Sequence, residues 1–333
     1  MSIPTPPPRG PTNARTAVPY PISAWHARRR PTSPSDAWAK AVEVERQRLR
    51  FQPRPGAGYR LYVVTEGVVG GREVSPAPGG HAVLGRHTSC DLVLGDDTSI
   101  SLRHVLVRAW THEGLAMLGV LDLDSGTGFE LSDGSRQRAV VASGPVVFAI
   151  AATSIVAVPL GEPLAEGLEP PIVRSSEASG YQVDPRPREG SRDASARAGT
   201  GRITVVPWSV PLSSGGVGGA FEMVLESEHR RAVVRFSERD VGHGILVGRD
   251  PRCVDAGLRS VLNDGISRVH ALVIRERDGV RLYDVASMNG MTDGARRVRS
   301  MALDDAGGRA FLCGYRTTAL SWRALRSAGR PSA

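Results

Sequence analysis

Three short blocks of this sequence occur twice, in the same order, and this internal repeat most constrains the fold. The pairs are Gly85-Arg86-x-x-x-Cys90 with Gly248-Arg249-x-x-x-Cys253, Ile100-Ser101-x-x-His104 with Ile266-Ser267-x-x-His270, and Asp122-x-x-Ser125-x-x-Gly128 with Asp284-x-x-Ser287-x-x-Gly290. One such pair arises easily by chance, whereas three collinear pairs indicate two copies of one domain. The sequence therefore predicts a tandem repeat.

The segments around these blocks are typical of β-strands. Short apolar runs such as Tyr59-Arg-Leu-Tyr-Val-Val and His104-Val-Leu-Val-Arg-Ala-Trp alternate with turns, and the chain of 333 residues is rich in Gly (38) and Pro (24). Many short strands at this spacing favour an all-β fold with two β-sandwich domains. Residues 139–160 carry no charge and are long enough to span a bilayer, but Gly144-Pro145 would interrupt a helix, so we expect two buried strands around a turn and no membrane segment.

Changes in composition predict the domain boundaries. Residues 1–57 are rich in Pro and Arg and are expected to be a disordered tail with a marginal short helix over 35–50, for which Ser33-x-x-Asp36 resembles a capping box. The first domain is then expected over 58–161, a flexible linker over 162–202, the second domain over 203–326, and a disordered C-terminus over 327–333.

The repeated residues resemble the forkhead-associated (FHA) signature, in which a Gly-Arg pair is followed by Ser-Arg-x-His and then by Ser-x-Asn-Gly. The second copy has the full pattern in Gly248-Arg249, Ser267-Arg268-Val269-His270 and Ser287-Met288-Asn289-Gly290. The resemblance implies a β-sandwich whose loops at one end hold a phosphothreonine peptide. It assigns phosphopeptide binding in the second domain to Arg249, Ser267, Arg268 and Asn289, and a structural role to Gly85, His104, Gly128, Gly248, His270 and Gly290.

The first copy departs from the signature at two positions. Leu102 stands where the signature has Arg, and Thr127 stands where it has Asn, while Arg86 and Ser101 are kept. Thr lacks the reach of the Asn amide. A phosphopeptide site at Arg86, Ser101 and Thr127 is therefore the weaker expectation, and a purely structural or dimerising first domain is its alternative.

The residues indicate binding and not catalysis. A phosphate monoester carries almost two negative charges and three acceptor oxygens, so its receptor needs a cation and neutral donors, which Arg249 and Ser267 supply. We expect His104 and His270 to be structural and Cys90 and Cys253 to be small core residues, because no nucleophile, base or metal-ligand constellation accompanies them. We expect no enzyme activity, no catalytic residue, no metal site and no cofactor.

The charge distribution bears on the class of partner. The net charge is +8, and residues 1–55 hold ten of the basic residues against three acidic ones, so nearly all of the excess lies in the tail. Three cysteines and an N-terminus without an apolar segment favour the cytoplasm.

The leading hypothesis is an adaptor for threonine-phosphorylated proteins in Ser/Thr-kinase signalling, whose partners are such a kinase or its substrates. The sequence leaves two alternatives open. One is a phosphate-independent structural or assembly module of the same fold, and the other is nucleic-acid binding by the basic tail, although we do not expect a nucleic-acid partner.

Overall fold

The computed structural model describes residues 32–51, 57–65, 68–161, 202–205, 220–253, 256–276, 278–303, 308–314 and 317–325. The expected disorder of most of the tail, of the linker and of the C-terminus concerns residues outside these ranges. The described residues form four antiparallel or mixed sheets and three helices. Among the described helices, none is both long and apolar enough to cross a membrane.

The first repeat consists of two six-stranded sheets, which we call A and B. Sheet A contains β1 (Tyr59–Thr65), β2 (Val68–Val74), β7 (Phe129–Leu131), β8 (Arg136–Gln137), β10 (Val146–Ile150) and β11 (Thr153–Pro159), in the spatial order β2-β1-β11-β10-β7-β8. Sheet B contains β3 (His81–Gly85), β4 (Leu92–Val93), β5 (Val105–His112), β6 (Leu115–Asp122), β9 (Ala139–Ser143) and β12 (Arg202–Val205), in the order β12-β9-β6-β5-β3-β4. Residues 139–160 thus form β9, β10 and β11, one strand more than the sequence predicts.

The second repeat consists of sheets C and D. Sheet C contains β13 (Phe221–Glu226), β14 (Arg231–Phe236), β18 (Met291–Thr292), β19 (Arg297–Val298), β21 (Gly308–Leu312) and β22 (Thr318–Ala324), in the order β14-β13-β22-β21-β18-β19. Sheet D contains β15 (Ile245–Val247), β16 (Ala271–Glu276), β17 (Gly279–Asp284) and β20 (Ser300–Leu303), in the order β15-β16-β17-β20. The short helices α2 (Glu238–His243) and α3 (Ala256–Arg259) lie between strands. Strand for strand, sheet C repeats the order of sheet A, and sheet D repeats the four central strands of sheet B.

Each repeat is a β-sandwich with its own core. Apolar residues on the facing sides of sheets A and B form one buried cluster, and those of sheets C and D form another. Side chains alternate between the two faces of a strand, so the same strands also present a second face. The arrangement of the two sandwiches and of α1 depends on which elements cover those second faces.

A long helix covers the outer face of sheet A. Helix α1 (Pro34–Phe51) follows Ser33, whose Oγ accepts from the Asp36 amide over 3.1 Å and donates to the Asp36 carboxylate over 2.7 Å, which is one half of a capping box. Its Trp38 is buried against apolar side chains of sheet A, including Tyr62 and Val158. The matching outer positions of sheet C include Glu226 and Arg323, whose charged side chains do not form an apolar surface on which a helix could pack.

The outer faces of sheets B and D pack against each other. We call this set the inter-repeat cluster: Val83, Cys90, Leu106, Leu121, Leu123 and Ala139 from the first repeat, with Leu246, Cys253, Val269, Leu272, Ile274, Tyr283 and Val285 from the second. The layers therefore follow the order α1, A, B, D, C. Two domains held together only by a flexible linker would not share such a cluster, so the repeats form one packed body.

The end of the segment between the repeats also differs from expectation. The sequence places Ile203 at the start of the second domain, whereas β12 pairs antiparallel with β9 and extends sheet B of the first repeat. Backbone pairing with an open sheet edge is not visible in composition, because it depends on groups that every residue carries.

Candidate functional site

The Gly-Arg turn of the second repeat is held against the following loop by close backbone contact. A Cβ on Gly248 would lie 2.2 Å from the carbonyl oxygen of Arg268, so no other residue fits there. Next to it, the Arg249 amide donates to the Ser267 carbonyl over 3.3 Å and the Asp250 amide donates to the Arg268 carbonyl over 2.9 Å. Gly85 makes the same approach in the first repeat, where its Cβ would lie 2.4 Å from the Leu102 carbonyl oxygen.

His270 joins the two loops from inside. It is fully buried, its Nδ1 accepts from the Ser267 amide over 3.2 Å, and its Nε2 lies 2.9 Å from the Gly290 carbonyl. Because a carbonyl can only accept, Nε2 carries the proton, and the ring is neutral with both nitrogens occupied. His104 makes the equivalent pair of bonds at 3.1 and 2.8 Å, to the Ser101 amide and the Gly128 carbonyl. Both histidines therefore lie where a structural role requires them.

The third loop is shaped by Asp284 and Ser287. The Asp284 carboxylate accepts from the Ser287 amide over 2.8 Å, and Ser287 Oγ accepts from the Gly290 amide over 2.9 Å. Gly290 has φ +78°, and a Cβ there would lie 2.4 Å from Arg297 Nε. The repeated Asp-x-x-Ser-x-x-Gly block is thus a turn-forming unit, and its recurrence in both copies is the sequence signal for that role.

Three of the four residues predicted for the second site converge on these loops. Arg249 donates through Nε to the Ile266 carbonyl over 2.6 Å, and its Nη1 lies 3.5 Å from the carboxylate of Asp264, which is 95 % exposed. Ser267 Oγ accepts from the Met288 amide over 3.0 Å, and Asn289 Nδ2 donates to the Gly265 carbonyl over 2.7 Å. The contact with Asp264 was not foreseen from the sequence.

Arg268, the fourth predicted residue, is engaged elsewhere. Its Nε and Nη2 donate to one carboxylate oxygen of Asp250 over 3.1 and 2.7 Å, and Arg252 donates to the other oxygen over 2.9 Å. Burial acts to raise the pKa of Asp250, but the hydrogen bonds from Arg252 and Arg268 outweigh it and hold that pKa well below its usual range. The structure therefore pairs Arg268 with Asp250, while the Arg268 side chain stays 65 % exposed.

The corresponding loops of the first repeat share the framework but differ in donors. Arg86 donates through Nε to the Ile100 carbonyl over 2.8 Å, as Arg249 does to Ile266. Ser101 Oγ donates to the Ser125 carbonyl over 3.4 Å, and Thr127 Oγ1 lies 3.4 Å from Ser125 Oγ. Ser101 Oγ thus faces a carbonyl over a long distance, whereas Ser267 Oγ accepts from a backbone amide, which leaves the Ser267 hydroxyl hydrogen for another acceptor.

The two matching cysteines are buried, but between the repeats and not within either core. Cys90 and Cys253 both belong to the inter-repeat cluster, and burial raises the pKa of each thiol to about 12. Both are thus held as thiols at neutral pH. Among the described residues, no group of three or more His, Cys, Asp and Glu side chains is arranged to hold a metal ion.

The buried histidines predict an acid-sensitive fold. Burial lowers the pKa of His81, His104 and His270, while in the unfolded chain each protonates near about pH 6.5. The unfolded state therefore binds more protons, so the free energy of unfolding decreases as the pH falls through about 6.5 towards the lowered folded pKa values. Burial raises the pKa of Asp122, which opposes the trend at one site. We expect a lower melting temperature at pH 5.5 than at pH 7.5 in circular-dichroism scans, and equal values would contradict these assignments.

Comparison with known proteins gives matches among solved structures alone. No protein-family model matches the chain, and no curated protein matches it. The similar structures include FHA-1 of Mycobacterium tuberculosis Rv1747, at 24 % identity over 32 % of this chain and 100 % of that one, with a TM-score of 0.25. The FHA domain of Chlamydia trachomatis CT664 has 21 % identity over 31 % of this chain and 97 % of that one, with a TM-score of 0.26.

A third similar structure is the yeast Dun1 FHA domain, solved in complex with a doubly phosphorylated peptide. It has 17 % identity over 38 % of this chain and 91 % of that one, with a TM-score of 0.27. Each of these structures is a single domain, so each corresponds to only part of this chain. This chain is therefore similar to FHA domains, and each of the three matches covers 31 to 38 % of its length.

Proposed function

We propose that the second repeat binds a phosphothreonine peptide and that the chain acts as an adaptor for threonine-phosphorylated proteins, such as a Ser/Thr kinase or its substrates. The observation that carries the proposal is the arrangement of Arg249 and Ser267. Arg249 is anchored through Nε and 36 % exposed, which leaves the outer nitrogens of its guanidinium for an anion. Ser267, on the neighbouring loop, keeps a hydroxyl hydrogen to donate.

This donor set matches the chemistry of a phosphate monoester. The guanidinium offers a planar pair of charged donors, and the hydroxyl adds a neutral one, so two or three phosphate oxygens are satisfied together. Asp264 is the resting partner of Arg249, and because it is almost fully exposed, replacing it by phosphate costs little. A peptide without phosphate would leave the donors as they are, which is the basis for discrimination.

Asn289 is proposed to bind the peptide backbone. Its Nδ2 is used to hold the Gly265 carbonyl, so the side chain is fixed in position, and its Oδ1 is the atom proposed to accept from a peptide amide. In the first repeat, Thr127 occupies this place, and Ser101 Oγ lies 3.4 Å from the Ser125 carbonyl where Ser267 Oγ accepts from the Met288 amide. These two differences support the second repeat as the main reader, with Arg86, Ser101 and Thr127 as a weak or silent site.

The arrangement favours binding over catalysis. His270 is buried and neutral, and both of its ring nitrogens are engaged with backbone groups, so it is placed to hold loops and not to move protons. Arg249, Ser267 and Asn289 are all donors or acceptors of hydrogen bonds to a ligand. Ser267 has no adjacent free base to activate it as a nucleophile within the described loops.

The test is a screen of phosphothreonine peptides with the full chain, because the two repeats share a buried cluster. We expect binding of a subset of phosphothreonine peptides, no binding of the same peptides with unmodified threonine, and loss of a captured partner after phosphatase treatment. Partner binding that survives phosphatase would favour a structural or assembly module. Nucleic-acid affinity that falls steeply with salt and survives Arg249→Ala would favour the basic tail instead.

A further inference from the structure

The loop over residues 284–290 of the second repeat, which we call the recognition loop, contains a residue in an unfavourable backbone conformation. Ala286 lies between Asp284 and Ser287 and has φ +58°, in the left-handed region that residues with a Cβ seldom adopt. Such a conformation persists where surrounding contacts fix it. The bond from the Ser287 amide to the Asp284 carboxylate spans Ala286 within the loop, and further contacts come from the other repeat.

The carbonyl of Ala286 accepts three hydrogen bonds from the first repeat. Arg103 donates to it through Nε over 3.0 Å and through Nη2 over 2.6 Å, and Ser89 Oγ donates over 2.6 Å. Arg103 is only 7 % exposed, so its charged group lies between the repeats. A buried guanidinium is costly unless it is hydrogen-bonded, and here it forms two such bonds to a single carbonyl at the recognition loop.

The same relation exists in the opposite direction. Asp124 occupies the position in the first repeat that Ala286 occupies in the second, and it also has a positive φ, of +56°. Its carbonyl accepts a hydrogen bond from Nη1 of Arg252, which is the counterpart of Ser89. Each repeat thus reaches across the inter-repeat cluster to the left-handed residue of the other repeat's loop.

The position of Ala286 bears directly on the residues assigned to the peptide. Directly after it come Ser287, Met288 and Asn289. The Met288 amide is bonded to Ser267 and the Asn289 side chain to Gly265, and these two bonds join the recognition loop to the loop that contains Ser267. A rotation at Ala286 would move all three residues. Holding this one carbonyl therefore holds the peptide-contacting end of the loop.

We propose that the first repeat is a positioning element for the second repeat's binding site, in which Arg103 and Ser89 hold the Ala286 turn in the shape that binds the phosphopeptide. This inference rests on the proposed function and adds a role for the first repeat that needs no ligand of its own. It makes Arg103 a positioning residue, since it holds the loop and not the peptide. A phosphothreonine peptide is then read by one repeat with the help of the other.

The test compares two arginines that both cross between the repeats. Arg103→Met removes the bonds to Ala286 and keeps an apolar side chain of similar length. Arg108→Met removes a different contact between the repeats, the 2.7 Å bond from Arg108 Nη1 to Glu276. Glu276 is the last residue of β16 and lies at the end of that strand away from the recognition loop. In the full chain, we expect Arg103→Met to weaken phosphopeptide binding about tenfold and Arg108→Met to leave it within about twofold. Arg103→Lys, which keeps one charged donor, should lose less.

A second measurement does not depend on any peptide. In hydrogen–deuterium exchange of the free protein, Arg103→Met should speed exchange across 285–290, where the Ser287 and Gly290 amides are bonded within the loop, and Arg108→Met should not. Equal affinity and equal loop exchange in the two variants would overturn the positioning role. If the wild type bound no phosphothreonine peptide, the proposed function would fail, and the exchange result would still decide whether Arg103 holds the loop.

Discussion

Replacing Arg249 by alanine is expected to weaken phosphopeptide binding by roughly tenfold to a hundredfold, with little change in melting temperature. A hydrogen bond to a charged group is worth about 1.5 to 3 kcal/mol, and about 1.4 kcal/mol corresponds to a tenfold change in Kd. The Arg249 side chain is 36 % exposed, and among the described residues it is bonded to the Ile266 carbonyl and, at 3.5 Å, to Asp264, so its loss should leave the fold intact. Titration calorimetry of the full chain with a peptide from the screen measures the change.

The matched control is Arg86→Ala, which removes the arginine with the same anchoring in the first repeat. We expect it to change the affinity by less than about twofold, since Thr127 replaces Asn in the first repeat and lacks the reach of the Asn amide. If Arg86→Ala abolished binding while Arg249→Ala preserved it, the working site would belong to the first repeat. Asp264→Asn, which removes the competing carboxylate, should leave binding equal or tighter.

His270→Ala is expected to lower both stability and affinity. The substitution empties a fully buried site and leaves the Ser267 amide and the Gly290 carbonyl without their partner, for which a loss of about 2 to 4 kcal/mol is typical. The melting temperature should fall by roughly 5 to 15 °C. Thermal scans, with calorimetry performed well below the new melting temperature, separate the two effects.

The comparison with Arg249→Ala shows what kind of residue each is. A residue that contacts the ligand lowers affinity alone, whereas a residue that braces the loops lowers affinity and stability together. His104→Ala is the internal control: it should cost similar stability, because its two bonds are equivalent, but less affinity. A His270→Ala protein with the melting temperature of the wild type would contradict the bracing role.

The sequence predicted the fold through its repeat and its strand-like runs, because both depend on local pattern. Alternation of apolar residues and turns is enough to indicate a β-sandwich, and three duplicated blocks are enough to place equivalent loops. Ser33-x-x-Asp36 likewise predicted the start of α1, since the bonds at a helix N-terminus form between neighbouring residues. Arg249, Ser267 and Asn289 were predicted for the same reason, as members of a linear motif.

What the sequence did not predict depends on residues far apart in the chain. A peptide contact by Arg268 stays a prediction, and its ion pair with Asp250, on a different loop, is not part of the linear motif. The packing of the two repeats against each other was not predicted either, although the unbroken apolar run Val105-Leu106-Val107 indicates a strand that is buried on both faces. A strand with one face in water alternates apolar and polar residues, whereas a strand buried on both faces is apolar throughout, as these three residues are.

The near-symmetric packing of the repeats has a consequence for how such a chain can change. In a homodimer, every substitution at a two-fold interface appears on both sides at once, so neither subunit can specialise without the other. Here the copies are encoded separately: Arg103 has Val269 as its counterpart, and Ser89 has Arg252. Each position can therefore mutate alone. Two copies that begin as equivalent can in this way diverge, so that one copy keeps a binding site and the other only holds its loop in position.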